Sequence, residues 1–132
     1  MKIIIAGAGA VGSHLARLLS KDDHNIVVID ASPEKTDGLT DSGNYDLMTI
    51  NASPSSITSM KEAGVQHANL FIAVTPDESR NITCCMLAHT LGAKKTVARV
   101  DNAEYVRPQY LDIFHSMGID SLIYPEVLLW YR

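Results

Sequence analysis

Short apolar runs alternate with stretches of helical periodicity along the whole chain. The runs predict strands at 2–6, 25–29, 46–50, 70–74, 96–100 and 120–123. The stretches between them predict helices at 10–21, 33–41, 54–63, 78–91 and 103–116, and a last helix that begins at 126. Runs that are continuously apolar are typical of strands buried on both faces. The pattern predicts an α/β fold, a Rossmann-type doubly wound parallel six-stranded sheet in the order 3-2-1-4-5-6, with helices on both faces.

Length and composition narrow the class of protein. The 132 residues fit one domain, 1–132, and the formal net charge of -4 argues against a nucleic-acid partner. The two cysteines are adjacent, without metal-ligand spacing, which suits a reducing cytoplasm and predicts no metal site. No apolar run approaches the roughly 20 residues that span a bilayer, so we expect contact with a membrane only through a partner. Since the last helix has barely begun at residue 132, we expect a fragment of a longer chain.

The first predicted strand runs into a glycine-rich turn. Gly7-Ala8-Gly9-Ala10-Val11-Gly12 fits the GxGxxG pattern and opens the first predicted helix. The first glycine permits a tight turn, the second lets a pyrophosphate approach the backbone, and the third lets the helix pack closely on the strand. Free N–H groups at the helix start then face the phosphates. The motif predicts an adenine dinucleotide site; the alternative is a glycine-rich turn without a ligand.

Asp30 ends the second predicted strand and is followed by Ala31. A carboxylate at this point accepts hydrogen bonds from the adenosine ribose hydroxyls and repels a 2′-phosphate, which favours NAD or NADH over NADP. Asp30 is also a candidate cap for the helix that starts at Ser32-Pro33, and the two roles are not exclusive.

Ligands of open parallel sheets bind at the carboxyl ends of the strands. The further candidates at this edge are Asn51, Ala52 and Ser53, then Thr75, Pro76, Asp77 and Glu78, then Arg99, Asp101 and Asn102. The five histidines lie within predicted helices or before predicted strands: His14, His24, His67, His89 and His115. None of them is expected at the ligand edge, whereas hydride transfer to a carbonyl generally needs a positioned acid or base. Asp77, Glu78 and Asp101 could serve, but we expect no second domain that would hold a substrate over the nicotinamide, so we predict no catalytic residue and no enzyme.

Five segments together identify a family. They are the stretch from Lys2 to Gly12, Val27-Val28-Ile29-Asp30, Ala73-Val74-Thr75-Pro76-Asp77-Glu78 followed by Asn81, Ala98-Arg99-Val100, and Ile123-Tyr124-Pro125-Glu126. With these segments the chain resembles, over essentially its full length, the TrkA N-terminal domain, also called the RCK or KTN domain, of bacterial potassium-uptake regulatory proteins. The Thr-x-Asp-Glu-x-x-Asn run and the Ala-Arg-Val strand end are its more specific parts.

The resemblance implies an NAD(H)-binding regulatory domain. Such a domain is cytoplasmic, forms homodimers or higher rings, lies at the inner face of the membrane, and gates a potassium transporter or channel in response to bound nucleotide. By analogy Thr75 and Arg99 would face the phosphates or the nicotinamide half of the cofactor. The last helix would start at Glu126 and cross to a partner subunit; the alternative is that Val127, Leu128, Leu129 and Trp130 cover this chain's own sheet.

Two positions depart from the family pattern. Asn51-Ala52 stands where the family usually has Gly-Asp after the third strand. Ala10 stands where ATP-responsive relatives tend to carry Arg, which favours NAD or NADH over ATP or ADP. Two other functions stay open from the residues alone: the cofactor-binding half of an NAD-dependent oxidoreductase, and a structural domain without a ligand.

Overall fold

The computed structural model describes residues 1–41, 46–125 and 129–131. The strands are β1 (Lys2–Ala6), β2 (Asn25–Asp30), β3 (Leu47–Asn51), β4 (Leu70–Ala73), β5 (Thr96–Arg99), β6 (Ser121–Tyr124) and β7 (Leu129–Tyr131). The α-helices are α1 (Ala10–Leu19), α2 (Pro33–Asp41), α3 (Ile57–Glu62), α4 (Glu78–Thr90) and α5 (Leu111–Ser116). Short 3-10 turns lie at Val65–His67, Ala103–Val106 and Pro108–Tyr110.

One sheet contains all of these strands, in the order β3-β2-β1-β4-β5-β6-β7. Strands β1 to β6 pair in parallel, which confirms the predicted six-stranded order. The central strand β1 has β2 on one side and β4 on the other, so the order of connection reverses there. A reversal of this kind opens a crevice at the carboxyl ends of the strands, where such folds bind their ligands.

The end of the chain differs from its predicted helix. Leu129–Tyr131 form β7, which pairs antiparallel with β6. The helix predicted from Glu126 is therefore wrong over these three residues, while the remainder of that segment, 126–128 and 132, lies outside the described residues. A Leu-Trp-Tyr sequence favours extended structure, and β6 offers a strand edge with which it can pair.

The single helix predicted at 103–116 is also wrong, because the segment is broken in the middle. Two 3-10 turns, Ala103–Val106 and Pro108–Tyr110, precede α5. Pro108 lacks a backbone N–H and would clash with a helical carbonyl four residues earlier. It also restricts the residue before it, and Arg107 has the extended backbone angles φ -66 and ψ 135.

Two apolar clusters fill the space on the two faces of the sheet. On one face Ile3 and Ile5 pack with residues of α1 and α2. On the other face Ile4 and Ala6 pack with residues of α3, α4 and α5. Leu18 on α1 is 45% exposed, although its neighbour Leu19 packs against the first cluster. The sheet is covered on both faces, as predicted. Among the described residues, no helix is long and apolar enough to cross a membrane.

Candidate functional site

The glycine turn between β1 and α1 is shaped by two of its glycines. Gly7 has φ +113, and a Cβ atom placed on it would lie 3.0 Å from the backbone nitrogen of Thr75. A Cβ atom on Gly12 would lie 1.9 Å from the carbonyl oxygen of Gly7. The predicted tight turn and the predicted close packing are therefore both present. No other residue fits either position without moving the backbone.

Gly9 is different, because neither conformation nor packing requires a glycine there. It precedes the first helical residue of α1 with φ -71 and ψ -161, and a Cβ atom on it would meet nothing within 4 Å. No side chain caps this helix start. The first-turn N–H groups of an α-helix have no partner within the helix, so those of Ala10, Val11 and Gly12 are available to a bound group. Open space beside uncapped amides fits a phosphate.

Asp30, at the end of β2, is bonded to this turn. Its Oδ2 accepts the N–H of Ala8 at 2.7 Å, and its Oδ1 accepts the N–H of Ser32 at 2.8 Å. Ser32 itself begins α2, since its Oγ accepts the N–H of Lys35 at 3.4 Å. Asp30 thus holds the glycine turn and the residue that starts α2. The half-exposed carboxylate retains acceptor capacity, which a ribose hydroxyl would use.

The end of β3 lies beside Asp30. Asn51 pairs with Asp30 in the strand register, and its side-chain amide donates to Thr36 Oγ1 on α2. The N–H of Ala52 donates to the carbonyl oxygen of Asp30 at 3.2 Å. Ala31 is exposed at the same edge. The candidate residues at the ends of β2 and β3 are therefore brought together, but the side-chain amide of Asn51 is already bonded to α2.

The end of β4 is bound to the buried Asn81 on α4. Thr75 donates to Asn81 Oδ1 from both its backbone N–H, at 2.9 Å, and its hydroxyl, at 2.7 Å. Asn81 Nδ2 donates to the carbonyl oxygens of Thr75, at 2.9 Å, and Arg99, at 3.0 Å. Pro76 is exposed beside them. The side chain of Thr75, predicted as a ligand contact, is thus engaged within the protein.

Glu78 joins α4 to the loop after β5. Its Oε2 accepts the N–H groups of Asp101, at 2.6 Å, and Asn102, at 2.7 Å. Arg99 lies in the same place, with Nε 3.6 Å from Asp101 Oδ1. This is an ion pair beyond hydrogen-bond length, and Nε is out of contact with water and makes no hydrogen bond. The Arg99 cation lies at the ligand edge of the sheet.

Sequence reasoning missed the role of Asn81 and the bond from Glu78 to the β5 loop. Asn is a poor residue for a helix interior, because its side chain competes for backbone groups. An Asn inside the helix predicted at 78–91 was therefore the available signal. Nothing in the sequence shows which way Glu78 turns.

The acid–base candidates and the histidines lie in different parts of the fold: Asp101 is exposed beside Arg99 at the ligand edge. Asp77 starts α4 and accepts the N–H of Arg80 at 3.1 Å. Glu78 is occupied as described. His14 is exposed on α1, His89 and His115 are exposed on α4 and α5, and His24 and His67 lie away from the carboxyl ends of the strands. Within the described ranges, no group of three His, Cys, Asp or Glu residues is arranged to hold a metal.

The two cysteines on α4 are free and buried. Burial raises the pKa of the Cys84 thiol to about 11 and raises that of Cys85 further. The thiolate is the reactive form of cysteine, so both groups are inert in the folded protein.

Fold and site together define a Rossmann-type nucleotide-binding domain: a reversed parallel sheet, a glycine turn with an uncapped helix start, and an acid at the end of β2. Comparison with protein families makes the class specific. The model of the TrkA-N domain matches residues 3–125, and the chain belongs to this family. The resemblance inferred from the sequence motifs is confirmed.

Relatives agree with this assignment. The chain is 37% identical over 131 residues to the Trk system potassium uptake protein TrkA of Haemophilus influenzae, and 35% identical over 130 residues to a TrkA homologue of Archaeoglobus fulgidus. Each match covers 98% of this chain and 28% of the relative, so the chain spans little more than a quarter of these proteins.

Solved structures share the fold. The TrkA-N domain of the inner membrane protein ybaL from Escherichia coli superposes with a TM-score of 0.79 at 21% identity, over 96% of this chain and 88% of that one. The Kef CTD of Shewanella denitrificans in its AMP bound form gives a TM-score of 0.70 at 22% identity, over 94% and 71% of the two chains.

Proposed function

We propose that this chain is the NAD(H)-binding regulatory domain of a TrkA-type potassium uptake system, and that it gates a membrane potassium transporter in response to bound nucleotide. The observation that carries the proposal is Gly9. Its backbone conformation suits any residue, and no atom of the described residues lies within 4 Å of a Cβ placed on it. An incoming group that needs close approach to the backbone explains a glycine at this position.

A dinucleotide is the preferred ligand within the adenine nucleotides. The uncapped first turn of α1 offers backbone N–H groups to two phosphates. Ala10 is neutral and supplies no positive charge to bind the additional phosphate charge of ATP or ADP. The Asp30 carboxylate beside the turn favours a free 2′-hydroxyl over a 2′-phosphate. The ligand is therefore NAD or NADH rather than NADP. An AMP-bound structural neighbour supports an adenine nucleotide on this fold.

A regulatory role fits the site better than catalysis. Asp77 and Glu78 are engaged with backbone N–H groups, and the histidines lie elsewhere. The relatives are potassium uptake proteins by name. We propose that the domain acts in the cytoplasm as a homodimer or larger ring and reaches the membrane through its transporter. Nucleotide regulates such an assembly by binding one subunit geometry more tightly than another.

Titration calorimetry with NADH, NAD, NADPH and ATP tests the ligand proposal. We expect binding of NADH and NAD at micromolar concentration, weaker binding of NADPH and ATP, and a rise in Tm with each ligand that binds. Absence of heat and of thermal shift with all four nucleotides would exclude a nucleotide-sensing role. Steady oxidation of NADH by the chain with added carbonyl substrates would instead indicate the cofactor half of an oxidoreductase.

A further inference from the structure

The first turn of α4 is bound to the ends of two strands. Asn81 is fully buried, and each polar atom of its side chain makes two hydrogen bonds: Oδ1 with the N–H and hydroxyl of Thr75, and Nδ2 with the carbonyl oxygens of Thr75 and Arg99. These bonds use the full capacity of a primary amide. No other residue type supplies two acceptor bonds and two donor bonds in the same volume.

The glycine turn packs against the backbone at the end of β4. A Cβ atom on Gly7 would lie 3.0 Å from the nitrogen of Thr75 and 3.1 Å from the carbonyl carbon of Val74, so the turn rests directly on this backbone. The Thr75 N–H at this contact is the one that donates to Asn81 Oδ1 at 2.9 Å. Gly7 and Asn81 therefore contact the same stretch of backbone from two sides, while the turn itself is bonded to β2 through the N–H groups of Gly7 and Ala8.

Glu78 extends the same arrangement to the loop after β5. Its single oxygen Oε2 accepts two consecutive N–H groups, those of Asp101 and Asn102. The side chain of Asn102 then accepts the N–H of Glu104 at 2.9 Å and starts the following 3-10 turn. The Glu78 carboxylate therefore positions both the loop after β5 and the residue that starts the Ala103–Val106 turn.

The two halves of a dinucleotide fold have different tasks. The half built on β1, β2 and β3 binds one nucleotide, and the half that begins with β4 binds the other. The glycine turn and Asp30 belong to the first half, whereas the ends held by Asn81 and Glu78 belong to the second.

From this arrangement we infer that Asn81 and Glu78 are positioning residues for the second nucleotide of a bound dinucleotide. They act through Thr75, Arg99 and the β5 loop rather than by touching the ligand. The inference rests on the proposed function, because it assumes a dinucleotide in the crevice. AMP consists of the adenosine half of the dinucleotide with one phosphate. On this inference, the first turn of α4 contributes to the affinity for NADH but not to the affinity for AMP.

Three variants test the inference by comparing NADH with AMP. Asn81→Asp retains the volume and an acceptor for Thr75 but loses both donor bonds. Asn81→Ala removes the amide, and Glu78→Ala releases the β5 loop without emptying a fully buried site. We expect each to weaken NADH binding by about tenfold or more, since the backbone at Thr75 and Arg99, or the β5 loop, loses the hydrogen bonds that hold it in place. AMP binding should fall by less than about threefold, because its contacts lie in the first half.

Matched controls lie at the amino ends of the strands, away from the carboxyl ends that form the ligand edge. Asn69 Oδ1 accepts the N–H of Lys2 at 2.8 Å, and the buried Thr96 hydroxyl donates to the carbonyl oxygen of Gly118. Asn69→Ala and Thr96→Val remove comparable side chain–backbone bonds far from the ligand edge. We expect a lower Tm for both and an unchanged ratio of NADH to AMP affinity.

The outcomes separate the inference from the proposed function. Failure of the unmodified chain to bind either nucleotide would overturn the proposed function itself. If the unmodified chain binds both, an equal loss of NADH and AMP affinity in the Asn81 and Glu78 variants would assign them a purely structural role and overturn the inference. Unchanged NADH affinity in Glu78→Ala and Asn81→Asp would overturn it as well. Selective loss of NADH affinity supports it, and Glu78→Ala keeps the test decisive if Asn81→Ala fails to fold.

Discussion

Replacement of Gly9 by alanine separates ligand binding from stability. The residue has φ -71, which alanine adopts without strain, and its added methyl group would meet no protein atom within 4 Å. The methyl group would point into the open space beside the uncapped start of α1. We therefore expect Gly9→Ala to fold normally and to lose nucleotide affinity.

The two magnitudes follow from different causes. Alanine restricts the unfolded chain, which stabilises the fold by about 0.4–1 kcal/mol, but it is a poorer residue than glycine before a helix by a similar amount. The net change in the free energy of unfolding is then within about 0.5 kcal/mol of zero. In the complex the methyl group overpacks the contact with the pyrophosphate, which costs about 2 kcal/mol, or roughly thirtyfold in Kd.

Urea unfolding and NADH calorimetry on Gly9→Ala and Gly38→Ala measure both quantities. Gly38 lies within α2, and a Cβ atom on it would also meet nothing within 4 Å. We expect Gly38→Ala to gain about 0.5–1 kcal/mol of stability with NADH affinity unchanged. Full NADH affinity in Gly9→Ala would refute the reasoning, because the open space would then have no ligand to explain it.

Further substitutions and a pH titration give three more expectations. Gly12→Ala should lose about 2–4 kcal/mol of stability and all NADH binding, because its Cβ would overlap the Gly7 carbonyl oxygen; unfolding at the same urea concentration as wild type would contradict this. Asp30→Asn should narrow the preference for NADH over NADPH by about tenfold in competition titrations, since a full negative charge no longer opposes the 2′-phosphate; an unchanged preference would exclude this role for the carboxylate. Burial raises the pKa of Cys84 to about 11 from an ordinary value of 9.0 and raises that of Cys85 too. As the pH rises, the thiols therefore ionise in the unfolded chain before they ionise in the folded protein. The free energy of unfolding should therefore keep its full value below pH 9 and decrease above it, by about 1 kcal/mol per thiol at pH 10. In Cys84→Ala the decrease between pH 9 and pH 10 should be smaller, and a decrease equal to that of the wild type would contradict the raised pKa of Cys84.

The parallel sheet and glycine turn could be predicted because their signals are local. Continuous apolar runs identify strands buried on both faces, and the alternation with helices fixes the direction of the connections. Gly7 and Gly12 are required by backbone geometry inside the protein, and the motif spacing already implied that geometry. The edge of the sheet that gathers Asp30, Asn51 and Thr75 followed from the same rule about strand ends.

Side-chain direction could not be predicted in this way. Thr75 and Glu78 were expected to face a ligand, but their polar atoms bond to Asn81 and to the β5 loop. A residue at the end of a strand is equally able to turn toward the crevice or toward its neighbours, and its direction depends on contacts that form only in the folded chain. Asn81, which makes that choice for Thr75, lies six residues further along the chain.

The predicted helix boundaries were wrong where a single residue or a neighbouring strand has more influence than the periodicity of apolar residues. Pro108 breaks an otherwise helical apolar pattern through its missing N–H and its ring. The sequence of Leu129–Tyr131 resembles the continuation of an apolar helix, but β6 provides backbone partners for a strand. Such partners depend on the folded sheet and leave no mark in the local sequence.

A crystal structure of the chain grown with saturating NADH tests the central claim most directly. The account predicts both phosphates within hydrogen-bond distance of the first-turn N–H groups of α1, the adenosine ribose against Asp30, and the second nucleotide toward the ends of β4 and β5. NADH bound at another surface, or solvent alone beside Gly9 at saturating nucleotide, would contradict it.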